Sequence, residues 1–431
     1  MIKKEYENRA WEETNILDLF CQIYPERTVV EKGRRYECLC PYHDDHHPSL
    51  SIEPDRHRIH CYSCGETYYT FGFLKKELGL SYPEAIRYIY EKGIIPGVEI
   101  KDIYDFQNDI DDKLWERKRK QYDYMEIANS YFRDEHLADN PFAIGCRNYA
   151  EYRDDNPNGR WTKEMCDIET LGYANASNHS FVDWVVSRKL DLEMMVDLGL
   201  VGKDEQADGK VRYYDAFVDR LMFPYRDERF RVISFTGRLL HYKLGDKMKF
   251  KNCTCKKGSN LIFVKESTPW GLHNMTEVRK AHKAYLVEGP GDAMTLKGIG
   301  VSNVLASGGG QWTKGQLQRI KGSGVPPLLC FIPDIDENVK VLDGATMGIG
   351  ESFVVNAGKM AMKLGFKVSV KVIPQNEDGS KIDAGEYFKN HPERWKNIKE
   401  EDFISWYASK YFDPSVTDEE NINAVTNVCK M

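Results

Sequence analysis

No stretch of this 431-residue chain runs apolar for the roughly 18 residues that a helical membrane span needs. The N-terminus, MIKKEYENRAWEE, lacks the apolar core of a secretory leader. Neither a spanning helix nor an export signal is expected, and the expected location is cytoplasmic, with no membrane partner. A net positive charge is also lacking. The formal net charge is −7, which excludes a uniformly basic nucleic-acid coat but not a local basic track. No GxxxxGK[ST] loop occurs, so a P-loop helicase motor is excluded. In a reducing compartment the eleven cysteines point to metal before disulfide.

What is present is the composition of an ordinary globular protein, 41% hydrophobic and 29% charged, long enough for two or three domains. Within it, CPYHDDHHPSLSI at 40–52 is answered by HCYSCG at 60–65. Cys40 and His43 are separated by two residues, as are Cys61 and Cys64. Two such pairs close a tetrahedral zinc site when a short hairpin brings them together. The spacer supplies that hairpin: Ser49 to Ile52 alternates, Glu53-Pro54-Asp55 turns, and Arg58 to His60 returns. Cys38 is a near miss for the first pair. His46, His47, His57 and His60 read as solvent-facing or nucleic-acid-facing rather than as ligands.

Residues 1–95 form a first unit, closed by the amphipathic stretch SYPEAIRYIYEKGI with a Ser81 cap and a Gly93 stop. Residues 96–122, including DIDDKLWERKRKQYD, read as a charged linker, part helical. Residues 123–280 begin helical and become mixed, with a hairpin pattern in DRLMFPYRDERFRVISFTGRLL at 219–240. From Lys210 to Lys257 there are 13 Lys/Arg against 5 Asp/Glu, a local excess inside an acidic chain. The pair Cys253-x-Cys255 has no partner pair and is not expected to hold metal.

Residues 281–390 repeat strand, turn and helix, the sign of a parallel sheet. The strand AYLV runs into Glu288 and Asp292, LLCFIP into Asp334 and Asp336, and VSVKVIP toward Asp383 and Glu386. Acids at the carboxyl ends of adjacent parallel strands meet at the edge where such sheets bind ligands. Oxygen donors of this kind suit Mg²⁺ or Mn²⁺. Residues 391–431 read as a C-terminal helical segment, beginning DFISWYASKYF.

These motifs resemble bacterial DnaG-type DNA primases over about residues 20–420. The Cys-His-Cys-Cys order, the Pro48-Ser49 pair and the following Phe71-Gly72-Phe73-Leu74 are similar to that family's zinc-binding domain. Leu171-Gly172-Tyr173-Ala174 is similar to a phrase of its polymerase domain. The ordered acids look like the TOPRIM domain that such primases share with topoisomerases and some nucleases. The resemblance implies a multidomain α+β and α/β architecture: a zinc-ribbon-like domain, a mixed N-terminal polymerase subdomain, a TOPRIM parallel-sheet core and the start of a helical subdomain.

It further implies de novo synthesis of RNA primers on single-stranded DNA from ribonucleoside triphosphates, a nucleotidyltransferase activity with one structural Zn²⁺ and two or more Mg²⁺ or Mn²⁺. By the same resemblance Glu288, Asp334 and Asp336 are catalytic metal ligands, with Asp292, Asp383 and Glu386 in support. Arg220, Arg238, Lys249 and Asn252 would meet template and nucleotide, and Arg34, Arg35, Arg56 and Arg58 would touch DNA. A replicative helicase and a single-stranded DNA-binding protein are the implied partners. Two departures stand out. The loop ENVKVLDGATMGIG after Asp336 is long, and Gly385 occupies a position where the family often has an acid. The missing helicase-binding domain implies a fragment or a phage or mobile-element form. The alternatives are another TOPRIM enzyme, a nuclease or topoisomerase, and a non-catalytic zinc-dependent single-stranded DNA-binding protein.

Overall fold

The computed structural model describes residues 2–103, 109–206, 209–240, 248–323, 328–336, 339–342 and 345–410, with 417 and 419. It divides into two compact units, residues 1–117 and 118–431. Among the described residues no helix is long and apolar enough to cross a membrane.

The first unit is built on a five-stranded antiparallel sheet in simple sequence order: Val30–Lys32, Arg35–Cys38, Leu50–Glu53, Arg58–Cys61 and Thr67–Tyr69. Side chains alternate across a strand, and the register decides the faces. Tyr36 pairs with Ile52 and Ile52 with Ile59, while Cys38 pairs with Leu50 and Leu50 with Cys61. Leu50, Ile52 and Ile59 are fully buried in one core with Phe20, Phe73, Leu74 and Ile86. The helix Tyr82–Glu91 starts at a capping box in which Ser81 and Glu84 satisfy each other's end of the first turn.

The stretch expected to be a charged, part-helical linker carries helical structure among its described residues. It contains a short 3₁₀ turn, Ile100–Ile103, and then enters a 29-residue helix, Asp109–Leu137. The reason lies at its far end. Met125, Ala128 and Phe132 recur at helical spacing and are buried in a second-unit core. Gln121, also buried, donates to the Ser259 carbonyl and accepts from the Leu261 amide.

The second unit carries two main sheets. One is antiparallel, in the order Phe250–Asn252, Val232–Leu239, Arg220–Arg226, Gly172–Ala174. Arg220–Arg226 is buried along its whole length. The other runs Val304–Ala306, Lys283–Val287, Leu328–Phe331, Lys367–Val370, Glu401–Asp402, its first four strands parallel and its last antiparallel. These parallel strands are short continuous apolar runs because helices cover both faces. The long loop after Asp336 forms an antiparallel hairpin, Val339–Leu342 with Ala345–Gly348, ahead of the helix Ile349–Lys363. Residues 241–247 of the basic segment and 411–416 of the C-terminal segment lie outside the described residues.

Candidate functional site

Cys40 and His43 lie on the loop between the second and third strands of the first unit, and Cys61 ends the fourth strand. Their ligand atoms and that of Cys64 all lie within 4.8 Å of one another. Cys40 Sγ is 3.8 Å from Cys64 Sγ, and Cys61 Sγ is 4.0 Å from His43 Nδ1. Sulfurs held about 2.3 Å from a tetrahedral zinc lie roughly 3.8 Å apart, so the donor set and its spacing fit that ion. The amides of Tyr42 and Cys64 donate to the sulfurs of Cys40 and Cys61, each at 3.4 Å.

His43 turns Nδ1 toward the sulfurs and Nε2 toward Asp45, at 3.5 Å. Asp45 in turn accepts from the Cys40 amide at 2.8 Å and the Ser49 hydroxyl at 2.6 Å. A carboxylate behind a ligating imidazole fixes its orientation. Cys38 points instead into the apolar core. His57 meets the Thr14 carbonyl, His60 meets Thr67, and His46 and His47 are exposed. Of the four arginines expected on DNA, only Arg34 is exposed without an acid beside it. Arg35 pairs with Glu37, and Arg56 and Arg58 both grip Glu53.

In the second unit the acids gather beyond the carboxyl ends of the parallel strands. Glu288 follows Lys283–Val287, and Asp334 and Asp336 follow Leu328–Phe331. Reciprocal backbone hydrogen bonds join Ile335 to Ile382 at 2.9 and 3.0 Å. That bridge sets Asp336 across from Lys381 and Asp334 across from Asp383. The Lys381 ammonium lies 3.2 Å from Asp334 and 2.8 Å from Asp336. Asp336 also accepts from the Gly350 amide at 2.6 Å, at the start of the helix Ile349–Lys363. A side chain at Gly350 would run into the Asp334 carbonyl, 2.4 Å from its Cβ.

Burial and crowding raise Asp334 and Glu288. Asp334, buried, is pushed up to about 8 by burial and then by the Glu288 charge, against the pull of Lys381. Glu288 rises to about 7, first through burial and then through Asp292, Asp336 and Asp383, again opposed by Lys381. Asp334 Oδ1 has no hydrogen-bond partner, an orphaned acceptor of the kind a divalent cation satisfies. The donors do not close into one shell. Among the described residues the four zinc-type ligands are the only metal-type cluster that tight.

Asp292 and Asp383 have structural partners. Asp292 accepts from the amides of Gly289 (3.0 Å) and Gly385 (3.1 Å). A Cβ at position 385 would approach Asp292 Oδ1 to 2.6 Å, so an acidic side chain there has no room. Asp383 caps the helix Ala384–Asn390 by accepting from the Glu386 amide, while the Glu386 side chain is exposed.

The basic track needs one correction. Arg220 is buried, and its guanidinium donates to three backbone carbonyls: Gly237 (2.9 Å), Lys249 (3.3 Å) and Met248 (3.0 Å). It clamps the segment carrying Lys249 and has no fork to offer a phosphate. Arg238 differs. It lies over the rings of Tyr149 (5.0 Å) and Phe250 (5.6 Å), and its Nε has no hydrogen-bond partner. Lys249 is exposed, within electrostatic reach of Arg238, Arg160, Asp383 and Lys381. Asn252 Oδ1 is likewise unpartnered. Cys253 and Cys255 join no metal-type cluster among the described residues.

Three residues that the sequence reading passed over belong here. Lys381 bridges two acids, and Arg160 stacks on Tyr149 at 5.1 Å beside Arg238. Lys265 donates to Tyr225 and to the carbonyls of Ser307 and Gly308, each at 2.8 Å. It thereby holds the loop Gly308–Gly310, whose three glycines all have positive φ and whose amides at Gly308 and Gly309 donate to the Glu288 carbonyl. The only sequence signal for Lys265 and Lys381 was an isolated lysine beside a turn.

Comparison with known proteins bears on both units. The CHC2 zinc finger family model matches residues 4–102, and that of the DNA primase catalytic core, N-terminal domain, matches 148–276. Residues 4–102 and 148–276 are thus similar to two domains of DnaG-type primases. A DNA primase of Halalkalibacterium halodurans is 27% identical over 388 residues, 89% of this chain and 58% of the relative. One from Neisseria meningitidis is 28% identical over 337 residues, 78% and 52%. The chain thus spans a little over half the length of these primases. The fold of the Aquifex aeolicus primase zinc-binding and RNA polymerase domains aligns with 98% of this chain and 90% of that one, at TM-score 0.55 and 19% identity. The RNA polymerase domain of Mycobacterium tuberculosis primase aligns with 72% and 93%, at TM-score 0.57 and 17% identity. A zinc finger module and a mixed α+β core are therefore features that this chain shares with these primases.

Proposed function

We propose that the chain is a DNA-templated RNA polymerase that starts short primers de novo on single-stranded DNA. One juxtaposition carries this reading: strand-end carboxylates bridged by the Lys381 ammonium lie near the unmet Nε donor of Arg238. In the reaction the 3′-hydroxyl of one nucleotide attacks the α-phosphorus of a triphosphate. A new P–O bond forms, the α–β bridge breaks, and pyrophosphate leaves.

The donor set of Glu288, Asp334 and Asp336 fits Mg²⁺ or Mn²⁺, which would lend positive charge to the hydroxyl and to the triphosphate. Lys381, half-exposed, offsets the charge of Asp334 and Asp336. Arg238 offers a planar fork to phosphate and Lys249 a mobile point charge. Asp292 and Asp383 hold the backbone around the centre. The zinc-bearing unit engages the single-stranded template. A relative of this fold, the DnaG primase catalytic domain bound to ssDNA, aligns with 70% of this chain at 21% identity and TM-score 0.53.

The test is primer synthesis on a single-stranded template with labelled ribonucleotides and Mg²⁺ or Mn²⁺, comparing wild type with Asp334→Ala plus Asp336→Ala. Short RNA from the wild type, absent from the double variant, is the expected result. Nicking or relaxation of supercoiled DNA, with no RNA made, would reassign the centre to another chemistry.

A further inference from the structure

Two guanidiniums of the second unit share one aromatic ring. Tyr149 lies near the end of the helix Pro141–Ala150. Ala143, Cys146 and Ala150 turn one face of that helix into the core, and Tyr149 packs at its border. The backbone then loops back, and the Arg160 amide donates to the Ala150 carbonyl at 3.1 Å. Glycine allows this return, because a Cβ at Gly159 would collide with the Glu151 carbonyl. Trp161, buried, donates from its indole to the Gly291 carbonyl (3.2 Å) and the Thr295 hydroxyl (3.0 Å). Arg160 is thereby anchored on one side to the helix that carries Tyr149. On the other it is anchored to the helix Pro290–Gly298 that follows Glu288. Arg238 reaches the same ring from the strand Val232–Leu239.

The guanidinium centres stand 5.1 Å (Arg160) and 5.0 Å (Arg238) from the centre of the Tyr149 ring. Among the described residues neither guanidinium has a carboxylate or hydrogen-bond partner. Two cations kept side by side with no acid on either mark a place for an anion. The Tyr149 hydroxyl is buried and also unpartnered, where buried hydroxyls are nearly always satisfied. Burial raises it above the ordinary tyrosine value, with Arg160 and Arg238 pulling down against Asp383 and Asp292. It is therefore a neutral donor at pH 7, within electrostatic reach of the cations and of the acidic centre.

We propose that Tyr149 positions the triphosphate of the incoming nucleotide, its ring setting the two guanidinium forks and its hydroxyl donating to a phosphate oxygen. The negative face of the ring offsets part of the repulsion between the cations, so the forks are ordered before the ligand arrives. Each fork presents paired donors that match phosphate oxygens. Without the ring, Arg160 loses the contact that orients it, while Arg238 keeps only Phe250. Tyr149 is a positioning residue and carries no proton in the reaction. The assignment rests on the nucleotidyl transfer proposed above. Binding of inorganic triphosphate is measured without polymerisation, so a chain that makes no RNA still tests it.

The experiment uses the full chain, zinc-loaded, and inorganic triphosphate at fixed Mg²⁺, read by isothermal titration calorimetry. Tyr149→Phe keeps the ring and loses one hydrogen bond, so binding is expected to weaken about fivefold. Tyr149→Leu loses ring and hydroxyl and is expected to weaken binding about 30-fold. Zinc content of both variants is expected to match wild type, and the urea midpoint of Tyr149→Phe to be no lower. In primer synthesis the KM for ribonucleotides is expected to rise by the same factors, with kcat within about twofold of wild type. A misfolded fraction does the reverse, lowering kcat and leaving KM alone. No triphosphate binding by wild type, Tyr149→Phe equal to wild type, Tyr149→Leu equal to Tyr149→Phe, or a fall in kcat with KM unchanged would each overturn the proposal.

Discussion

Glu169 is the most consequential buried charge outside the acidic centre. It is fully buried at the end of the helix Lys163–Ile168. His273 lies 3.2 Å away and the Lys297 ammonium is in direct contact, with Lys297 also donating to Asn274 at 3.1 Å. These groups tie the mixed subdomain to the helix Pro290–Gly298 that carries Asp292. Burial alone would raise the Glu169 carboxyl, but His273 and then Lys297 overcome it and hold the group at about 2, below the usual 4.5. That depression corresponds to about 3 kcal/mol of stability.

The sign follows from the direction. The folded-state value is the lower one, so the stabilisation is complete above about pH 5 and is lost as pH falls through 4 toward 2. Lys297→Met leaves the carboxylate buried with one fewer partner and is expected to cost about 3–5 kcal/mol at pH 7. Adding Glu169→Gln removes the orphaned charge and is expected to restore part of that loss. Urea titrations of the full chain at pH 7 and pH 3, followed by tryptophan fluorescence, measure both effects. Trp270 sits 5.6 Å from His273 and reports on this contact. A Lys297→Met protein as stable as wild type at pH 7, or a double variant no better than the single, would refute the reasoning.

Two further predictions concern the metal site and the track. Asp45→Ala is expected to weaken zinc binding by about 10–100-fold, measured by competition with a chromophoric chelator; unchanged affinity would remove Asp45 from any role behind His43. Arg220→Met is expected to destabilise the second unit by about 2–4 kcal/mol, since three carbonyls lose their donor, while the salt dependence of DNA binding stays as in wild type. A slope shallower by about 1 would show that Arg220 does reach a phosphate.

The local patterns were legible in the sequence. Paired ligands two residues apart on either side of a hairpin state a zinc site almost by themselves, because the chain between them is too short to put them anywhere else. Apolar runs ending in Glu288 or Asp334-x-Asp336 state a parallel sheet with acids at one edge, since strand length and direction are written in neighbouring residues. The helix Asp109–Leu137 was less legible, because its first half is charged and only the register of Met125, Ala128 and Phe132 with a distant core keeps it helical.

What the sequence could not assign was which charges are spent inside the fold. Arg220, Arg238 and Lys249 read alike as letters in a basic segment, yet Arg220 is consumed by backbone carbonyls that come together only when two strands pair. Lys381 and Arg160 acquire meaning from residues far away along the chain, and Gly385 from the carboxylate of Asp292 packed against it. Tyr149 looks like any helix tyrosine until Arg160 and Arg238, from two other elements, stack on its ring. Short-range spacing determines ligand pairs and strand ends because covalent geometry limits their separation. Partnership, burial and the emptiness of a hydroxyl belong to the tertiary structure, because they depend on what the rest of the chain leaves beside each side chain.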